Sequence, residues 1–132
     1  MADLRDLTSL DLTELEVTAA GAKEVASLKK LTHLALRHTG LTDAGVTELV
    51  ALRKLRVLDL SRTKVSDVGV KELAALRELN SLNLSDTGVG DAGVKELAAL
   101  PNLTTLNLRD TKVTEAGVGE LRRSLPHCRI TR

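Results

Sequence analysis

Leucine recurs along this chain at a fixed interval. Leu7, Leu31, Leu55, Leu79 and Leu103 open the same phrase every 24 residues, and the phrase reads L-x-x-L-x-L-x-x-T-x-V-x-D-A-G-V-x-E-L-A-x-L-x-x. Each copy has two halves with different periods. In the third copy Leu58 and Leu60 alternate with Val57, Asp59 and Ser61, the period-two pattern of a strand with one buried face. Val70, Leu73 and Leu76 then fall three apart, the apolar stripe of a short helix. Each repeat therefore predicts strand, turn, helix, turn. Stacked copies must set identical strands in parallel, and each copy buries its apolar face only against its neighbours. Strands lie about 4.8 Å apart, whereas helices need about 10 Å. The expected α/β architecture is a solenoid curved into a horseshoe arc, with a parallel β-sheet on the concave face and short helices on the convex face.

The helix starts are also written in columns. Thr42, Ser66, Gly90 and Thr114 stand where an N-cap is needed, and all are acceptable caps. Asp43, Asp67, Asp91 and Glu115 follow, placing a carboxylate at the positive end of each helix dipole. Asp67 and Lys71, and Asp91 and Lys95, have the acid-first i,i+4 spacing, worth about 0.2–0.5 kcal/mol per pair. Gly21, Gly45, Gly69, Gly93 and Gly117 form a further column early in the helices. Glycine there costs about 1 kcal/mol relative to alanine, so a compensating close approach of the neighbouring coil, where no Cβ fits, is expected.

The phrases LTHLALRHTGL, LRVLDLSRTKV, LNSLNLSDTGV and LTTLNLRDTKV resemble the leucine-rich repeat, L-x-x-L-x-L-x-x-(N/C/T)-x-L, and the resemblance runs from end to end. Second halves such as LTDAGVTEL are similar to the helical variants of bacterial, ribonuclease-inhibitor-like and F-box-associated members. The resemblance implies a concave parallel sheet used for protein or peptide recognition. Three departures stand out. Thr39, Thr63, Thr87 and Thr111 occupy the family's usual Asn column, where a hydroxyl can still bond turn carbonyls. The first repeat has Leu15 in that column, an irregular TAAGAKEVASL second half, and no separate N-terminal cap. The C-terminal LRRSLPHCRIT breaks the period. There Cys128 and Ile130 are expected to point inward on a last short strand, with Cys128 free to align with either of two leucine columns. The organisation expected is one domain over 1–132, five repeats followed by a C-terminal cap at 121–132.

Charge narrows the function little. Nineteen basic and 18 acidic residues are interspersed, for a net charge of +1, which gives no electrostatic case for nucleic acid or an anionic membrane. The chain has no aromatic residue, so it lacks stacking platforms for bases and the aromatic anchors of protein hot spots. With a single cysteine, no apolar leader and no long apolar run, the expectation is a soluble, cytoplasmic chain.

Catalysis and metal binding find little support. His127 and Cys128 are adjacent, and neighbours on a strand point to opposite faces, so Cys128 is read as a buried cap residue rather than half of a dyad. His33 and His38, with Asp11 or Asp59, lack the spacing or supporting ligands of a metal site and are read as surface histidines. The glycines are single and periodic, unlike a phosphate loop. Glu24, Glu48, Glu72, Glu96 and Glu120 form a convex column balanced by Lys23, Lys71 and Lys95, read as a solvated face. No cofactor and no enzyme activity are expected.

Recognition needs positions that differ between repeats, and these lie on the concave face. The outward strand positions are Ser9 and Asp11, His33 and Ala35, Val57 and Asp59, Ser81 and Asn83, Thr105 and Asn107, with Arg37, Arg62, Asp86, Arg109 and Asp110 just beyond. The candidate protein-binding set is His33, Arg37, Asp59, Arg62, Asn83, Asp86, Asn107 and Arg109. Its mixed signs argue against ribonuclease-inhibitor-like capture of a basic enzyme. A second reading is a structural or engineered scaffold without a dedicated ligand, self-associating through Leu4, Leu7, Leu10 and Leu12 at an uncapped end.

Overall fold

The computed structural model describes residues 4–132. Each of the five repeats supplies one strand of three residues, β1 Ser9–Asp11, β2 His33–Ala35, β3 Val57–Asp59, β4 Ser81–Asn83 and β5 Thr105–Asn107, and the C-terminal segment adds β6 Arg129–Thr131. Between them run α1 Ala19–Val25, α2 Asp43–Leu49, α3 Asp67–Glu72, α4 Asp91–Val94 and α5 Glu115–Ser124. α3 and α4 tighten into 3-10 turns, Leu73–Ala75 and Lys95–Ala99. The strands pair in chain order, all parallel. Leu10, Leu34, Leu58, Leu82, Leu106 and Ile130 share one register line, so the sequence period becomes a spatial ladder.

That register settles the C-terminus. Ile130 takes the inward column beside Leu106, as expected. Cys128 departs from its expected place on the strand: β6 begins at Arg129, and Cys128 lies before it, half-buried. Burial pushes its thiol pKa up, which makes it a poorer nucleophile.

A single core runs from Val17 to Ile130, built from the leucine and valine columns of strands and helices. Its turns are held by the threonine column. Thr39, Thr63, Thr87 and Thr111 each donate a hydroxyl hydrogen bond to the carbonyl three residues back, on Leu36, Leu60, Leu84 and Leu108, at 2.7–2.8 Å. The hydroxyl thus does the work expected of the family's asparagine: Thr39, Thr63 and Thr87 stay buried and Thr111 half-buried, each with its hydroxyl bonded.

The aspartate column works differently from its sequence reading. The Asp43 carboxylate reaches into the next repeat and accepts from the Ser66 N–H at 2.8 Å and the Ser66 hydroxyl. Asp67 accepts from the Gly90 N–H at 2.6 Å, and Asp91 from the Thr114 N–H at 2.8 Å and its hydroxyl. These carboxylates join repeats instead of pairing with Lys71 or Lys95. The Thr114 hydroxyl, then its N–H, hold the Asp91 carboxyl below the usual carboxylate range. The caps shift accordingly. Thr114 and Thr18 accept N–H bonds from Gly117 and Gly21 at 3.2 Å, whereas Thr42 and Ser66 make no side-chain cap.

The two ends of the stack differ. Ile130 closes the C-terminal end at 7% exposure, while Leu4 and Leu15 at the other end are 67% and 56% exposed. Leu7, Leu10 and Leu12 are only partly buried there. No helix among the described residues is long and apolar enough to cross a membrane.

Candidate functional site

The site grows out of the turn that leaves each strand. Asp11, Asp59, Asn83 and Asn107 end four of the strands, and each accepts, through Oδ1, the backbone N–H two residues on, at 2.9–3.0 Å. This is the Asx turn that short polar side chains favour. Asp11 and Asp59 accept a hydroxyl as well, from Thr13 and Ser61. The Thr13 hydroxyl, followed by its N–H, lowers the Asp11 pKa.

The turn then forces one residue per repeat into the left-handed region: Glu14 (φ 67°), His38 (54°), Arg62 (54°), Asp86 (54°) and Asp110 (56°). An L-residue pays about 1–2 kcal/mol there. The neighbouring turn holds it in place, because the N–H groups of Glu14, His38, Arg62 and Asp86 donate to the carbonyls of Arg37, Ser61, Ser85 and Arg109 at 2.8–3.0 Å. Five charged or titratable side chains are therefore presented in one column at the C-terminal ends of the strands.

Two adjoining cavities open along this margin. The larger, about 630 Å³, is lined by Glu14, Leu15, Glu16, His38, Thr39, Gly40, Arg62, Thr63, Lys64 and Asp86. The second, about 250 Å³, is lined by Arg37, Ser61, Arg62, Asn83, Ser85, Asp86, Asn107, Arg109 and Asp110. Arg62 and Asp86 belong to both, and Arg62 Nε lies 3.4 Å from Asp86 Oδ2. Both side chains of this pair are more than half exposed, so it orients the wall between the cavities and adds little stability.

Residues 29–89 match the family model described as leucine rich repeat, and residues 99–121 match a second leucine rich repeat model. Among the solved structures similar to this chain is internalin C2 of Listeria monocytogenes, 31% identical, with a TM-score of 0.69 over 82% of this chain and 44% of that one. Another is a leucine-rich repeat protein of Leptospira interrogans, 27% identical, with a TM-score of 0.67 over 98% of this chain and 38% of that one. This is a leucine-rich repeat protein. It spans less than half the length of either solved relative, and no curated protein matches it.

Within this leucine-rich repeat protein the second cavity gathers six of the eight residues chosen from sequence: Arg37, Arg62, Asn83, Asp86, Asn107 and Arg109. His33 and Asp59 stand apart from it. His33 begins β2, with Nδ1 2.9 Å from Thr32 Oγ1, and the Asp59 carboxylate serves its own turn. Of the larger cavity, Glu14, Glu16 and Lys64 were not among the sequence candidates, His38 was read as a surface histidine and Leu15 as a departure from the threonine column. For Glu14 and His38 the signal was the column before the threonine position, which reads Glu14, His38, Arg62, Asp86 and Asp110 and so differs in character from repeat to repeat. Among the described residues no group of three His, Cys, Asp or Glu side chains is placed to hold a metal ion.

Proposed function

We propose that this leucine-rich repeat protein is a protein-interaction module that binds a protein or peptide on its sheet face, along the margin where the strands end. One observation carries the reading: the side chains that vary between repeats converge on two joined cavities, over a leucine framework that hardly varies. The polar lining fits recognition by hydrogen bonds and ion pairs, with large apolar anchors supplied by the partner. The Arg37→Ala/Arg109→Ala double substitution should weaken capture of a partner from source-cell lysate at least tenfold, by the usual cost of removing interface arginines. Both side chains are exposed, so the melting temperature should stay within the narrow range of surface substitutions. Undiminished capture of the same partner would show that the assigned face is wrong.

A second reading rests on the open N-terminal end. Leu4 and Leu15 are exposed, and among the described residues β1 is paired on one side only, so a second copy can extend the sheet and cover the leucines. Light scattering over a concentration series should then show mass rising toward a dimer, and Leu10→Lys should abolish the rise. A constant monomer mass at high concentration rules this reading out.

A further inference from the structure

The two ends of the stack complement each other. Leu4 stands in a column that continues through Leu28, Leu52, Leu76 and Leu100 and breaks off at Ser124. At the N-terminal end Leu4 is 67% exposed. At the C-terminal end the same column runs into a cavity of about 230 Å³, whose walls include Leu100, Leu103, Leu125, Pro126 and Cys128. One end offers an apolar knob and the other a hole in line with it. Charge differs between the ends as well. Beside the Asp6–Lys30 pair, the N-terminal layer exposes Asp11, Glu14, Glu16 and Glu24 against Arg5 and Lys23. Beside the Arg132–Glu115 pair, the C-terminal end exposes Arg122, Arg123 and Arg129 against Glu120.

We propose, resting on the second-copy reading above, that copies of this chain stack head to tail, the β6 edge of one pairing in parallel with the β1 edge of the next while Leu4 of the next copy fills the C-terminal cavity. Among the described residues β1 and β6 are each paired on one side only, so each edge leaves backbone groups open to pairing. Continuing the register sets Ser9 of the next copy beside Arg129, and Leu10 beside Ile130. Arg129 then has Asp11 of the next copy one pleat further along the same face. The helices fit the same direction. Among the described residues no helix follows β6, so α5 and the next copy's α1 stand two strand spacings apart, about 10 Å, the width of one helix. Inside the stack the Thr47 hydroxyl donates to Glu72 of the following repeat at 3.1 Å. Gly119 takes the Thr47 position in α5, and the Arg123 guanidinium lies 3.8 Å from where its Cβ would stand. Glu24 takes the Glu72 position in α1. Arg123 therefore meets Glu24 of the next copy as Thr47 meets Glu72. A head-to-head pair would oppose two acidic ends and two leucine knobs, and a tail-to-tail pair two basic ends. Only the head-to-tail order is complementary. Its contact is heterologous, so it adds copies beyond two.

Light scattering over a concentration series should show the mass of the unaltered chain rising past a dimer. Two variants of the whole chain then decide the direction. Leu10→Lys disables the β1 end. Arg123→Glu/Arg129→Glu, at exposed positions, disables the C-terminal end with the fold intact. Each alone should stay monomeric at concentrations where the unaltered chain assembles. Mixed in equal amounts they restore one native junction, so the mass should rise to a dimer and stop there. Circular dichroism checks that both are folded. If Leu10→Lys is not, Leu4→Glu, at an exposed position, replaces it and sets a carboxylate against the apolar walls of the cavity. A C-terminal variant that associates as the unaltered chain does, or a mixture that stays monomeric, overturns the head-to-tail contact. An unaltered chain whose mass stops at a dimer also overturns it, and leaves the second-copy reading standing. A monomer at every concentration overturns both.

Discussion

Leu82→Ala is expected to cost about 2–5 kcal/mol, the range for emptying a fully buried leucine site. Leu82 is 1% exposed on β4, in register with Leu58 on one side and Leu106 on the other. Truncation removes its contacts with both neighbouring repeats and leaves a cavity that a close-packed stack cannot collapse. Against a total of about 5–15 kcal/mol for a domain of this kind, that loss is severe. Leu10 stands in the same column and has the same chemistry, but among the described residues β1 has a neighbour on one side only, and Leu10 is only partly buried. Leu10→Ala should therefore cost about 1 kcal/mol, in proportion to the smaller area it removes from water. Denaturant midpoints for the two variants, read with their slopes, test this directly. Equal losses would mean that the strands do not share burial through stacking.

How much of this was legible in the sequence depends on the range of the interaction. The leucine columns and the threonine turns act within one repeat or between identical positions of adjacent repeats, so a fixed period exposes both. The parallel register follows from the same period, and Ile130 joins it although its surroundings break the repeat. The aspartates mislead because the i,i+4 spacing of Asp67 and Lys71 is visible in the chain, whereas the bond from Gly90 N–H to Asp67 spans 23 residues. The site was half legible. Strand-end residues such as Asn83 and Arg109 are found by alternation, but the left-handed column is not, because Glu, His, Arg and Asp carry no common mark of positive φ. Leu15 looks like a flaw in the threonine column until the turn places it on the wall of a cavity.

The glycine column separates into positions with opposite expected responses. A Cβ on Gly93 would lie 2.8 Å from the Asp67 Cα and 2.5 Å from its Oδ1. The first of these is backbone and cannot swing aside, and the second belongs to the carboxylate that holds the Gly90 N–H. Gly93→Ala must push two repeats apart or break their link, at an expected cost of about 1–3 kcal/mol. At Gly117 the obstruction consists only of Asp91 carboxylate atoms. There the side chain can yield by giving up its bonds to Thr114, so the loss should be smaller than at Gly93. At Gly21 the reading of a crowded column fails. The nearest atoms are Val17 Cγ1 at 3.6 Å and Thr18 Oγ1 at 3.7 Å, ordinary contact distances. The aspartates that crowd Gly69, Gly93 and Gly117 belong to the preceding repeat in each case, Asp43, Asp67 and Asp91, and no such aspartate lies near Gly21. Gly21→Ala should then gain most of the helix-propensity difference, up to about 1 kcal/mol, and raise the melting temperature where Gly93→Ala lowers it. Shifts of the same sign at both positions would show that propensity or packing alone governs the column, and would count against the aspartate–glycine link between repeats.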